Sequence, residues 1–493
     1  MYPEGGRGVT FNSWEFILFY PIVLLLYFVL PKKMRWPMLL VASYFFYMCY
    51  SPDLVFLIFG TTLISWVASR IIDKTEKKAI KRLAIVVTLI ASLGVLFFYK
   101  YFNFLSTAIS SVVGLFGGPS DPVLLDLVLP VGISFYTFQT LSYAIDVYRG
   151  DVKSERNFFF YALFVSFFPQ LVAGPIERPD NLIPQLREAH PWSTPDAIKG
   201  AKHMLVGFFK KVCVADLLSS AVDSVYNSPE EAGSLAIAIA TVLFAVQIYC
   251  DFSGYTDIAI GCARIMGIRL MKNFDHPYSA TTIKEFWARW HISLSSWFRD
   301  YLYIPLGGNR CSRARHLFNL FVVFLVSGLW HGANWTFVVW GALHGVYQIV
   351  GNLTARPRAR LVERSGRAPT SPLVVWPRRI ITFILVCFAW IFFRANTMSD
   401  ALLLIKRLFS FTGGGIGATL SSMGVSVTTA LLMVVSVVLL ILIDRMLTYD
   451  DSPDGSDVLV SRGGFVYFVW IILLSWALLL SKDMISTFIY FQF

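Results

Sequence analysis

Charge is what this sequence has least of. Asp, Glu, Lys and Arg supply 15% of its 493 residues, where a soluble domain carries roughly a quarter. Hydrophobic residues reach 56% and aromatics 16%. That balance excludes a water-soluble enzyme, a disordered chain and a DNA-binding domain. Cysteine is scarce as well. Cys49, Cys213, Cys250, Cys262, Cys311 and Cys387 are scattered with no Cys-x-x-Cys spacing, so neither a disulfide framework nor a metal site is expected. No internal repeat is visible, which speaks against the inverted-repeat transporters. A Gly-x-Ser-x-Gly nucleophile segment is also lacking. The first apolar run ends in Pro31-Lys32-Lys33 rather than at a small-residue cleavage site, and reads as a retained helix, not a signal peptide.

What the chain does have is a succession of apolar blocks. They lie near 14–30, 37–50, 54–69, 83–99, 101–116, 123–148, 157–173, 201–222, 233–260, 318–353, 374–395, 423–443 and 464–481. A helix of about 20 apolar residues crosses the roughly 30 Å of bilayer hydrocarbon. The pattern predicts an all-α polytopic membrane protein with about eleven transmembrane helices plus re-entrant and interfacial pieces. A single membrane domain over 1–493 is expected, with a core at about 125–355, C-terminal helices at 374–481 and an aromatic tail at 483–493. The net charge of +11 reads first as cytoplasmic loops, by the positive-inside rule. Lys32-Lys33-Met34-Arg35 and the stretch from Arg70 to Arg82 stand on either side of two spans and share that side. Seven arginines between Arg356 and Arg379, interspersed with Pro357, Pro369, Pro372 and Pro377, read as a further solvent-exposed cytoplasmic loop.

The run 318–353 has to break, because as one helix it would measure about 54 Å. The break falls in Ser327-Gly328-Leu329-Trp330-His331-Gly332-Ala333-Asn334. Phe318 to Trp330 would then be a helix of only about 20 Å, leaving His331 at intramembrane depth near the tip of a re-entrant hairpin. An ionisable residue there is costly, so a functional role is the default reading. For His344, 13 residues on, a core histidine bonded to a neighbouring helix is the better reading.

A second constellation runs from Glu285 to Arg310. Trp287, Trp290 and Trp297 with Arg289 and Arg299 suit an interfacial helix with an aromatic belt. The grouping of Arg289, His291, Arg299 and Asp300 suggests more, a site that binds the phosphates of a nucleotide-like donor and sets a histidine beside the reacting bond. Gln139, Asp146, Asp251 and Asp257 also sit in apolar stretches and read as groups supporting the site rather than reacting.

Trp290-His291-Ile292-Ser293 running into Trp297-Phe298-Arg299-Asp300-Tyr301, and then Ser327-Gly328-Leu329-Trp330-His331-Gly332, resembles the membrane-bound O-acyltransferase (MBOAT) family. Within it, the bacterial alginate O-acetylation branch is the most similar. Three further segments resemble that branch: Pro130-Val131-Gly132-Ile133-Ser134-Phe135-Tyr136-Thr137-Phe138-Gln139, Ala173-Gly174-Pro175-Ile176-Glu177-Arg178 and Tyr249-Cys250-Asp251-Phe252-Ser253-Gly254-Tyr255. The resemblance implies helices around a central tunnel between a cytoplasmic and an outer funnel. It makes His331 the essential histidine and general base, and His291 the second active-site position. Trp290, Trp330, Asn334, Arg289, Arg299, Asp300 and Asp251 become donor-binding or supporting residues. It also implies acetyl-CoA as acyl donor with no permanently bound cofactor, a bacterial inner-membrane location, a surface polysaccharide acceptor such as alginate or peptidoglycan, and an extracytoplasmic SGNH-hydrolase-like partner.

The chain ends Phe488-Ile489-Tyr490-Phe491-Gln492-Phe493. Such a tail serves as an aromatic interfacial anchor. Tyr490 also suits a covalent acyl relay, since a phenol with pKa of about 10 is far easier to deprotonate than a sugar alcohol, and a terminal aromatic motif of this kind is implicated as acceptor in similar bacterial systems. Two alternatives stay open. One is a D-alanyl-type acyltransferase fed by a carrier-protein thioester, for which the arginines would dock an acidic partner. The other is a proton-coupled transporter or flippase of a saccharide, with His331 and the intramembrane acids as a relay.

Overall fold

The computed structural model describes residues 10–446 apart from 12, 51, 119, 120, 172 and 173, together with Trp476. Among these, every regular element is helical. In chain order they are α1 (Trp14–Val29), α2 (Lys32–Met48), α3 (Val55–Lys74), α4 (Lys78–Leu96), α5 (Phe102–Leu115), α6 (Ile133–Arg149), α7 (Phe158–Ser166), α8 (Phe168–Leu171), α9 (Pro179–Arg187), α10 (Thr194–Phe208) and α11 (Asp216–Tyr226). After them come α12 (Ser234–Ile265), α13 (Ile283–Arg289), α14 (Ile292–Phe298), α15 (Arg313–His331), α16 (Trp335–Leu353), α17 (Ala355–Arg364), α18 (Pro372–Arg394), α19 (Met398–Leu408), α20 (Ile416–Ser422) and α21 (Val427–Met446). Among the described residues, five stretches are long and apolar enough to cross a membrane: Pro52–Lys74, Lys78–Leu115, Ser234–Ile265, Pro372–Arg394 and Val427–Asp444. The expected run at 464–481 lies outside the described residues except for Trp476.

The chain divides into two compact units, one of residues 1–204 with 255–271 and one of 205–254 with 272–493. In the first unit, α3 shows the logic of a lipid-facing helix. It buries Ile58, Thr61, Thr62, Ser65, Ala68, Ser69 and Ile72 and leaves Phe56, Phe59, Leu63, Ile64 and Val67 outward. Small and hydroxyl-bearing residues let helices approach closely without a solvent-driven hydrophobic force. Three of its four buried hydroxyls find partners, Thr61 on the Leu57 carbonyl at 2.9 Å, Thr62 on the Ile58 carbonyl at 2.6 Å and Ser65 with the Tyr161 hydroxyl at 2.8 Å, while the Ser69 hydroxyl finds none among the described residues.

Several boundaries differ from the periodicity reading. The runs 83–99 and 101–116 form one 38-residue helical stretch, α4 and α5 joined by a π-turn at Phe97–Tyr101, because no glycine or proline separates them. The run at 123–148 becomes helix only from Ile133, since Pro130 lacks an N–H and Gly132 takes a left-handed φ of 72°. The run at 157–173 is divided at Phe167 between α7 and α8. The arginine stretch is not all loop. Ala355–Arg364 is an exposed helix that tolerates Pro357 in its first turn, and Pro372 begins α18.

In the second unit, α15 and α16 form an antiparallel hairpin around a three-residue turn. Glycines make the close contact: a Cβ on Gly341 would sit 2.4 Å from the Phe324 carbonyl oxygen and 3.0 Å from the Gly328 Cα. With Gly345 one turn later, α16 presents Gly-x-x-x-Gly to its partner. Helix α18 lies against α16, with Phe393 and Trp390 within 5.2 and 5.9 Å of the Trp340 ring. A π-helix at Phe209–Ala215 places Lys211 between Asp216 at 2.8 Å and Asp251 at 2.7 Å, all three buried.

Candidate active site

His331 is the last residue of α15. The helix is longer than the apolar run alone foretold, because Arg313 to His316 add a polar first turn capped by Ser312. Gly332 then leaves in an extended conformation, under the Phe337 ring, which a Cβ would meet at 2.1 Å. Asn334 restarts the chain as the N-cap of α16, its side-chain oxygen accepting from the Thr336 N–H at 3.1 Å while its amide nitrogen donates to the Asn396 carbonyl at 3.1 Å. The break thus needs Gly332 for space and Asn334 for capping. His331 is 4% exposed and is walled by Trp330, Trp340 and Phe393, ring centres 4.8, 4.9 and 5.3 Å away.

His291 is fully buried and stands between α13 and α14 with a left-handed φ of 45°, a conformation non-glycine residues rarely hold without a compensating reason. The compensation is Asn273. Its side-chain oxygen lies 3.1 Å from His291 Nδ1 and accepts from the Ser293 hydroxyl at 2.9 Å and the Ser293 N–H at 3.2 Å, while its backbone carbonyl accepts from Ile292. With Nδ1–H donating to Asn273, Nε2 carries the lone pair. The His291 ring packs edge-on to Phe252 at 4.7 Å and lies 6.0 Å from Trp330. Trp330 is therefore a ring neighbour of both histidines.

The grouping of Arg289, His291, Arg299 and Asp300 is not reproduced as one cluster. Arg289 pairs with Glu285 at 2.8 Å and donates to the Ser279 hydroxyl. Arg299 is mostly exposed and pairs with its neighbour Asp300 at 2.8 Å. His291 points instead into the aromatic interior, because its left-handed backbone turns it away from the helical neighbours that sequence proximity suggested. Trp290 is packed among Phe286, Phe274 and Trp390 at 5.1–5.5 Å. Asp251 is held by Lys211, and the next residue, Phe252, is the one that touches His291. His344 behaves as a core histidine, accepting the Trp287 indole N–H on Nδ1 at 3.1 Å. Tyr490 lies outside the described residues. Sequence reasoning passed over Asn273, Trp340 and Phe393. Asn273 alone carried a signal, as an amide in a polar stretch ahead of the Trp-His segment.

Both histidines fall inside residues 152–392, which match the model of the MBOAT, membrane-bound O-acyltransferase family. A probable alginate O-acetylase of Pseudomonas aeruginosa is 39% identical over 82% of this chain and 75% of its own length. The chain belongs to the membrane-bound O-acyltransferase family. It is an O-acyltransferase and a multi-pass membrane protein. A probable alginate O-acetylase of Pseudomonas putida is 35% identical over 98% of this chain and all of its own length. The peptidoglycan O-acetyltransferase of Helicobacter pylori is 34% identical over 82% of this chain and 80% of its own.

As a membrane-bound O-acyltransferase, the chain needs a base beside the acceptor hydroxyl and a site from which water is kept out. A buried imidazole at a helix end, ringed by indoles and a phenyl, is chemically able to take up a proton in a place sheltered from water.

Proposed function

We propose that this chain is an O-acetyltransferase of the bacterial inner membrane that passes acetyl from cytoplasmic acetyl-CoA toward a cell-surface polysaccharide such as alginate or peptidoglycan. His331 removes the proton of the attacking hydroxyl, the oxygen bonds to the thioester carbonyl carbon, and the carbon–sulfur bond breaks with the proton passing to the leaving sulfur. His291, its Nδ1 committed to Asn273, positions the donor. Tyr490 is the acceptor, forming an aryl ester reactive enough for onward transfer, and an extracytoplasmic SGNH-hydrolase-like protein completes delivery to the sugar. About eleven crossings around a central tunnel would accommodate that route. The observation that carries this reading is that His331 and His291 both pack against the Trp330 ring, in a chain that aligns with probable alginate O-acetylases over most of its length.

The test is incubation of the purified protein in detergent with isotope-labelled acetyl-CoA, followed by peptide mapping, with Tyr490→Phe beside it. Label on the last peptide, lost in the variant, is the expected result. Label on no peptide, with the partner protein present, refutes the relay.

A further inference from the structure

One face of α16 carries a seam of buried polar atoms. The Thr336 hydroxyl, the Trp340 indole N–H and the His344 Nε2 have no hydrogen-bond partner among the described residues, and all three residues are fully buried. They recur every four positions, so they line one stripe of an otherwise apolar helix. Buried donors without partners are rare in folded proteins, and each calls for a physical reason. Here the reason lies next to the seam. The Trp340 ring is 4.9 Å from the His331 ring and meets it edge-on at 85°. Trp287, Trp390, Phe393 and His344 fix its position, with ring centres between 4.9 and 5.9 Å away.

We propose that Trp340 is a catalytic residue, its indole N–H donating a hydrogen bond to the carbonyl oxygen of the acyl thioester as that oxygen gains negative charge. The inference rests on the reading of His331 as base. The acceptor oxygen bonds to the carbonyl carbon, its proton goes to His331, and the carbonyl electrons move onto the oxygen that Trp340 holds. Collapse of that tetrahedral species restores the carbonyl and breaks the carbon–sulfur bond, and His331 returns the proton to the departing sulfur. A donor held rigidly in a water-excluded site is worth more than the same donor in water, because nothing has to reorganise as the charge develops. Thr336 and His344, one turn to either side, offer further polar atoms to the amide groups of a pantetheine arm, which coenzyme A and an acyl carrier protein share.

The experiment measures thioester consumption by the full-length protein in detergent, with acetyl-CoA and separately with an acetyl-loaded carrier protein. Two variants are compared, Trp340→Phe and the isosteric replacement of Trp340 by 3-benzothienylalanine, which exchanges the N–H for sulfur and keeps the bicyclic shape. Loss of one such donor costs about 10²-fold in kcat, with KM for the donor within threefold of the parent and an unchanged melting temperature in the isostere. Unchanged kcat in the isostere overturns the assignment. A fall in kcat accompanied by an equal loss of folded protein in both variants overturns it too, by showing that the ring serves packing alone. Turnover by the parent with one thioester and not the other identifies which source of the pantetheine arm the seam accepts. Absence of turnover by the parent with both donors refutes the function reading, and with it this assignment.

Discussion

Gly341→Ala tests whether the closeness of the two hairpin helices sets the position of His331. The added methyl would lie 2.4 Å from the Phe324 carbonyl oxygen and 3.0 Å from the Gly328 Cα, both backbone atoms that no side-chain rotation can clear. Relieving the shorter contact to an ordinary separation of roughly 3.5 Å moves α15 and α16 apart by about 1 Å. Overpacking of this kind costs about 1–3 kcal/mol. Trp340 sits on the residue before Gly341, and His331 lies one turn beyond Gly328, so the shift is delivered to the two rings that meet at 4.9 Å. A displacement of about 1 Å at a reacting group costs on the order of 10²-fold in rate. The expected result is a protein that inserts and purifies, melts several degrees lower, and consumes labelled acetyl-CoA about two orders of magnitude more slowly. The same change at Gly351, where a Cβ would meet nothing within 4 Å, should alter neither quantity. Parental turnover in Gly341→Ala at a parental melting temperature would refute the reasoning, since the glycine contact would then set neither stability nor geometry.

Three further outcomes are expected. His331→Ala should abolish acetyl-CoA consumption while leaving membrane insertion and elution behaviour intact, and normal consumption would sink the general-base assignment. Lys211→Met removes the ammonium that lies between two buried carboxylates, which should cost about 3–5 kcal/mol and show as a large fall in melting temperature; adding Asp251→Asn should recover part of it. Glu177 is fully buried, and burial pushes its carboxyl from the ordinary 4.5 up to about 7, against hydrogen bonds from Met271 N–H and the Asn181 amide that lower it. The folded form thus favours the protonated acid. Its contribution to stability is complete below pH 4.5 and is lost as the pH rises through about 7. Glu177→Gln should therefore flatten the melting temperature between those two values, and an unchanged slope would refute the assignment.

The helical class and the hairpin were legible because each follows from a local rule. No single helix can be both 318–353 and bilayer-sized, and Gly332 with Asn334 supplies space and a cap within three residues. What escaped was side-chain direction. Arg299 and Asp300 stand within eleven residues of Arg289 along the chain, yet each finds a near neighbour instead, Arg289 with Glu285 and Arg299 with Asp300. The left-handed turn at His291 sends its ring to Asn273, 18 residues upstream. The Trp287–His344 bond spans 57 residues, and nothing in either segment announces the other. Helix ends are not legible where polar residues continue a helix, as at Arg313, or where an apolar stretch is irregular rather than helical, as before Ile133.

The stretch Lys78–Leu115 has a consequence for the lipid around it. Thirty-eight helical residues measure about 57 Å at 1.5 Å each, nearly twice the roughly 30 Å of hydrocarbon they meet. Tilt alone would have to approach 60°, beyond the range of about 0–40° that spanning helices adopt. The remaining length has to be taken up by a bend, by protrusion into the headgroups, or by the bilayer itself. The π-turn at Phe97–Tyr101 supplies the place for a bend, since a turn of that kind interrupts the regular ladder of a helix. Lys78, Lys81 and Arg82 suit the headgroups rather than the core, and the apolar remainder is still longer than the hydrocarbon, so lipids with longer acyl chains and lipids with shorter ones present this helix with different solvents.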